Sequence, residues 1–248
     1  MKHVVLLSAG MDSVVNLYLA REKGEVEAAL TFDYGQRAAE RELERAAAVC
    51  AALGTEHVVL RIPWLGGWSS CALTNPDRLL PRHAAAGWFG GGADLEASAE
   101  AVWVPNRNGV FVNLAAALAE ARGAELVVAG FNAEEAATFP DNSAGFVEEA
   151  NRALLYSTRG KVRLVSYTLH MDKAEIAVEG KRLGIPWKKL WSCYNGNALM
   201  CGECESCARL RRAAGAAGLE EELAGAFSRE GNGLPPRSSR DDPERQCR

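Results

Sequence analysis

Cys193, Cys201, Cys204 and Cys207 fall within fifteen positions, CYNGNALMCGECESC, at the spacing C-x7-C-x2-C-x2-C. Thiolates are soft ligands, and four in one short segment suit a tetrahedral zinc ion. Gly196, Asn197 and Gly202 stand between them and permit the turns that four converging side chains demand. Protein ligands would fill every position around such an ion, which makes the expected role structural. A redox Cys-x-x-Cys pair or an iron–sulfur cluster is the alternative chemistry for the same thiols. Lys188, Lys189, Arg209, Arg211 and Arg212 lie close in sequence and are expected to soften the charge of four thiolates.

A second candidate lies at the other end of the chain. The apolar run HVVLL (3–7) is followed by the turn Ser8-Ala9-Gly10-Met11-Asp12-Ser13, and a helical pattern starts near Asp12. A strand, a small-residue turn and a helix start together hold an anion. Exposed N–H groups and the positive end of the helix dipole face it, and hydroxyls add donors. The turn lacks the Gly-Lys-Ser/Thr of a Walker loop and the spaced glycines of a dinucleotide fingerprint. The plainer alternative is a helix start capped by Asp12 or Ser13.

The elements that must position these residues follow one repeated phrase: a helical pattern, a glycine, then a short apolar run. It occurs at Gly24 before VEAALTF, Gly54 before TEHVVLRI and Gly123 before AELVVAG, and more loosely at Gly184 before IPWKKLW. Glycine supplies a left-handed residue that ends a helix, and β-branched runs suit buried strands. In RAAERELERAAAVCAAL the residues Leu43, Ala46, Ala47, Cys50 and Leu53 share one helical face, which makes Cys50 a core residue. Strands alternating with helices imply βαβ units and a parallel sheet. The expected fold is an α/β, open, doubly wound parallel sheet over residues 1–185. A small four-cysteine helical module over 186–227 follows it. Residues 63–104, rich in Gly, Trp and Pro, read as an irregular insert, and 228–248 as a frayed tail.

Composition narrows the classes. The net charge of −4 argues against a non-specific grip on nucleic acid. No apolar run approaches the roughly 20 residues of a membrane helix, and MKHVVLL is too short for a secretion signal. A soluble, cytoplasmic protein is expected.

SAGMDS resembles the SGGxDS pyrophosphate loop of the N-type ATP pyrophosphatases, which split ATP into AMP and pyrophosphate. Ala9 departs from it, standing where that family usually has glycine, and its methyl is expected to narrow the loop or weaken ATP binding. Further segments extend the likeness: TFDYGQR (31–37), VPNRN (104–108), Gly130 followed by FPD (139–141), MDKAEI (171–176) and SCYNG (192–196). With the four cysteines, the arrangement over about residues 3–215 resembles the 7-cyano-7-deazaguanine synthases, nitrile-forming enzymes of queuosine and related deazapurine biosynthesis. The stretch FNAEEAATF departs from the family's acidic and aromatic segment, although Glu134 and Glu135 retain carboxylates.

The resemblance implies an adenine nucleotide alpha hydrolase-like fold. It implies ATP-driven conversion of 7-carboxy-7-deazaguanine and ammonia to a nitrile by two successive adenylations. ATP would be held by Leu7, Ser8, Ala9, Gly10, Met11, Asp12, Ser13, Val14, Val15, Asn16, Leu17, Phe32 and Gly130. Asp12, Lys173 and Arg107 would carry catalysis: Asp12 as a ligand for Mg²⁺, and the two cations against phosphate charge. Tyr34, Gln36, Arg37 and Asp141 would meet the deazapurine. It further implies one structural Zn²⁺ per chain and a homodimer. The rival functions are a tRNA-modifying ATP pyrophosphatase (a thiolase or a lysidine-type ligase), a deazaguanine-conjugating enzyme, and an ATP-binding sensor without turnover.

Overall fold

The computed structural model describes residues 1–81 and 93–228. The elements run β1 (Lys2–Leu6), α1 (Met11–Lys23), β2 (Glu25–Asp33), α2 (Ala39–Leu53), β3 (His57–Arg61), α3 (Pro63–Gly67) and α4 (Ala93–Ala101). They continue with α5 (Arg107–Arg122), β4 (Leu126–Val128), α6 (Ala133–Ala136), α7 (Ala144–Ser157), β5 (Arg163–Val165), α8 (Lys173–Leu183) and α9 (Glu205–Ala216). All strand pairs are parallel, in the order β3-β2-β1-β4-β5. The chain builds outward from β1 to β3 on one side, then returns to β4 beside β1. Loops leaving β1 and β4 therefore part in opposite directions, and an open α/β sheet has its binding crevice at that switch.

Alternation along the strands feeds two cores. Val5, Ala29 and Val128 point to the side covered by α1, α8 and α9, and their neighbours Val4, Leu30 and Val127 point to the side of α5 and α7. Both faces of the central strands β1, β2 and β4 are buried, so their middle stretches read as short apolar runs. The first core also takes in Cys193, Met200, Cys204, Cys207 and Leu210, so the expected boundary at 185/186 crosses one continuous cluster.

Several expectations change. IPWKKLW is not a strand: Trp187–Lys189 form a 3₁₀ turn, because Trp191 donates its N–H to the Ala9 carbonyl at 2.9 Å and the segment lies under the first turn. The fifth strand is instead the three-residue RLV of Arg163–Val165. Gly54, Gly123 and Gly184 are left-handed, but Gly24 is extended. On α2, Val49 is buried and Ala47 exposed, the reverse of the expected Ala47 contact. The insert contains α3 and α4, and Cys71, Leu73, Val102 and Val104 enter the second core. Residues 82–92 and 229–248, the latter nearly all of the expected tail, lie outside the described residues. No helix among the described residues is long and apolar enough to cross a membrane.

Candidate active site

The turn after β1 is tied by hydroxyls. Ser13 Oγ donates to the Gly10 carbonyl at 3.0 Å and accepts from the Ser8 N–H at 3.2 Å. Gly10 precedes α1 as its cap residue, without a side-chain cap from Asp12 or Ser13. The first-turn N–H groups of a helix lack intrahelical acceptors, and here they belong to Met11, Asp12 and Ser13, which line a cleft of about 280 Å³. Across the switch point, Gly130 after β4 approaches closely: a Cβ there would stand 2.9 Å from the Ser13 nitrogen. Only glycine lets the end of β4 close on the start of α1.

Ala9 has φ +60°, the left-handed conformation that costs an L-residue roughly 1–2 kcal/mol. Its side chain is fully buried in the first core and does not line the cleft. The methyl therefore does not narrow the loop.

Lys173 opens α8, whose start is fixed by a capping box between Asp172 and Glu175. It is buried, yet its ammonium pairs with Asp12 and, at 2.6 Å, with Glu135. Burial alone would lower its pKa, but the two carboxylates outweigh burial and hold it charged. Burial pushes the Asp12 carboxyl up, whereas Glu135, between Lys173 and Arg209, is held below the ordinary range. Arg209 stands 3.6 Å from Glu135 and is anchored on its own helix by the buried Glu205. Asp12 Oδ1 is buried with no hydrogen-bond partner among the described residues.

The opposite wall of the cleft is aromatic. Phe32 and Phe111 stack with centroids 4.1 Å apart, and Tyr34 tilts against Phe111 at 5.5 Å. Arg107, the first residue of α5, donates to the Tyr34 hydroxyl at 3.3 Å. Gln36 accepts from the Tyr34 N–H and donates both to the Phe32 carbonyl and, at 2.8 Å, to Glu42 Oε2. Burial pushes the Glu42 carboxyl up to about 7.

At the cysteines, the four Sγ atoms lie within 4.8 Å of one another. Sulfurs at the roughly 2.3 Å zinc–thiolate distance stand about 3.8 Å apart at tetrahedral corners, so the cage matches such an ion. Cys193 Sγ accepts the N–H groups of Asn195 and Cys201, and Cys201 Sγ that of Cys204, which favours the thiolate form. The cluster can hold a metal ion.

Residues 2–218 match the family described as queuosine biosynthesis protein QueC. The chain belongs to this family. It is 50% identical to the 7-cyano-7-deazaguanine synthase of Pelotomaculum thermopropionicum, over 90% of this chain and 100% of that protein. It is 47% identical to the 7-cyano-7-deazaguanine synthase of Bdellovibrio bacteriovorus, over 88% of this chain and 95% of the relative. Among solved structures, the U34-tRNA thiolase NcsA from Methanococcus maripaludis is similar at 14% identity and a TM-score of 0.49, covering 90% of this chain and 66% of that one.

Within this member of the QueC family the cleft gathers Leu7, Ser8, Gly10, Met11, Asp12, Ser13, Phe32, Tyr34, Gln36, Arg107, Gly130 and Lys173. It leaves out others that the resemblance had assigned to ligands. Val14, Val15 and Leu17 are fully buried on the core side of α1. Asn16 is also buried, bridging the Asp12 carbonyl, Thr168 and the Tyr167 N–H. Arg37 turns away to the carbonyls of Asn75 and Arg78 and clasps the insert. Asp141 sits behind Asn142, which lines the cleft in its place. Arg209, expected near the thiolates, faces the carboxylates of the cleft instead. Glu42, Phe111 and Arg209 were not read as site residues. The Glu205–Arg209 pair, spaced i,i+4 on α9, was a visible signal for the last.

Proposed function

We propose that the chain converts 7-carboxy-7-deazaguanine, ammonia and ATP into 7-cyano-7-deazaguanine, with release of AMP and pyrophosphate. The observation that carries this is the anion-holding turn and Lys173 opening into the same cleft as an aromatic wall, in a chain about half identical to named synthases.

Hydroxide is a poor leaving group, so the carboxylate oxygen first attacks the α-phosphorus of ATP and expels pyrophosphate. Ammonia adds to the acyl carbon, AMP and a proton depart, and the amide remains. The amide oxygen then attacks a second ATP and expels pyrophosphate; loss of AMP and both N–H protons leaves the nitrile. The Ser8–Ser13 turn and the N–H groups of Met11, Asp12 and Ser13 take the departing pyrophosphate, and Lys173 meets its charge. The aromatic wall stacks the deazapurine, and Arg107 faces its carboxylate. Asp12, whose buried Oδ1 has no partner among the described residues, suits Mg²⁺, which would neutralise charge on the phosphates. Cys193, Cys201, Cys204 and Cys207 suit a structural Zn²⁺. The homodimer and the cytoplasmic location are inferences from family membership alone. Ala9 lends no support to a sensor without turnover, because its methyl lies in the core.

Mass spectrometry after incubation with 7-carboxy-7-deazaguanine, ATP, Mg²⁺ and ammonium tests the reading. A nitrile is expected, and the Asp12→Asn variant should form it at least about 100-fold more slowly. Unchanged acid with no AMP released by the wild type would refute the proposal.

A further inference from the structure

Glu42 has no part in the chemistry above, yet it lines the cleft beside the aromatic wall. It lies in the first turn of α2, a helix whose other acidic residues face outward. Its Oε2 accepts from Gln36 at 2.8 Å, and the Gln36 amide is itself locked by the Tyr34 N–H and the Phe32 carbonyl. The carboxylate is thus held in one orientation by the residues that form the stacking surface. An ionised carboxylate has about four acceptor sites; Gln36 takes one, and Oε1 has no partner among the described residues. A locked carboxylate beside the aromatic wall suits two parallel N–H donors on the edge of a ring stacked against that wall. Arg107 lines the same cleft with the opposite charge.

We infer that Glu42 is the specificity-determining residue for the base, its carboxylate accepting the N1–H and 2-amino donors of the deazapurine while Arg107 takes the carboxylate end. This rests on the function proposed above and deepens it. A 7-carboxylated deazaguanine has an anionic group at one end and a paired donor edge at the other. The cleft offers a cation and a fixed acceptor for the two. The inference predicts discrimination: a base lacking the 2-amino group leaves part of a desolvated carboxylate unpaired, and a buried acceptor without a donor is costly.

The test compares kcat/KM for 7-carboxy-7-deazaguanine with that for the analogue lacking the 2-amino group, in the wild type and in Glu42→Gln. The wild type should prefer the 2-amino substrate by roughly 10- to 100-fold, as a paired edge contact does elsewhere. In Glu42→Gln, which preserves shape and can still meet Gln36, the preference should fall to within about threefold, with the ATP Kd unchanged. A variant that keeps the wild-type preference overturns the role of Glu42. So does one that slows both substrates equally at saturation, since Glu42 would then serve proton transfer from ammonia. Inhibition of the wild type by 7-deazaguanine and by 7-deazahypoxanthine gives a check that needs no variant, and equal potency overturns the inference. If the wild type forms no nitrile at all, the proposed function fails first; nitrile formation without discrimination removes only the assignment of Glu42.

Discussion

At the residue scale the magnitudes decide what Ala9 does. Relieving its left-handed backbone by Ala9→Gly gains roughly 1–2 kcal/mol. The same change loses a buried methyl, worth about 0.8 kcal/mol, and adds about 0.5–1 kcal/mol of chain entropy. The effects nearly cancel. Calorimetry should find the Tm of Ala9→Gly within about 3 °C of the wild type, with ATP affinity changed by less than about twofold. Glu42 gives a pH-dependent case. Its folded value of about 7 lies above the ordinary 4.5, so the folded state holds the proton more tightly. Stability attributable to it therefore falls as pH rises from about 4.5 to about 7, and the full cost persists above that. The neighbours acting on it are Gln36, Arg107 and Asp33, of which only Asp33 adds to the upward push of burial. Melting curves should show Glu42→Gln more stable than the wild type at pH 8, and the difference vanishing near pH 4.5.

Elements act here mainly by setting distances between such residues. The end of β4 touches the start of α1 through Gly130, and a Cβ there meets backbone on both Asp12 and Ser13. Gly130→Ala must displace the first turn, because backbone atoms have no rotamer to escape into. Titration calorimetry should find ATP bound at least about tenfold more weakly, with circular dichroism unchanged. Helix α9 plays the equivalent part for the charges. Cys204 caps it, Cys207 lies in its first two turns, and Arg209 follows on the same helix beside Glu135. Cys204→Ser should lower the bound metal measured by mass spectrometry and reduce turnover as well; full metal content in that variant would count against a four-thiolate site. The expected link to turnover arises because Glu135 is shared between Arg209 and Lys173.

On the scale of the whole molecule, one core joins the cysteine loop to α1 and α8. Four thiolates freed of a metal in that core would be packed among apolar residues without their counter-charge. Removing the metal with a chelator should therefore lower the Tm of the entire chain in a single calorimetric transition; a separate early transition for residues 186–227 would show that the module unfolds alone. The two-sided core also explains which elements were legible. Strands β2, β3 and β4 follow a glycine within three residues, and β1, β2 and β4 carry the apolar runs that burial on both faces requires. The three-residue β5 carries Arg163 and is too short to show a period, and α4 begins beyond a glycine-rich run that hides it.

Chemistry held in neighbouring residues was determined by the sequence alone: four cysteines at fixed spacing, and a strand–turn–helix start with its hydroxyls. Local backbone geometry is enough to bring such groups together. Tertiary structure alone decided which distant charges meet. Lys173 lies 161 residues from Asp12 and 38 from Glu135. A buried ion must find a partner wherever the fold supplies one. The spacing of these partners along the chain carries no trace of the meeting, because it is set by how β1 and β4 part at the centre of the sheet.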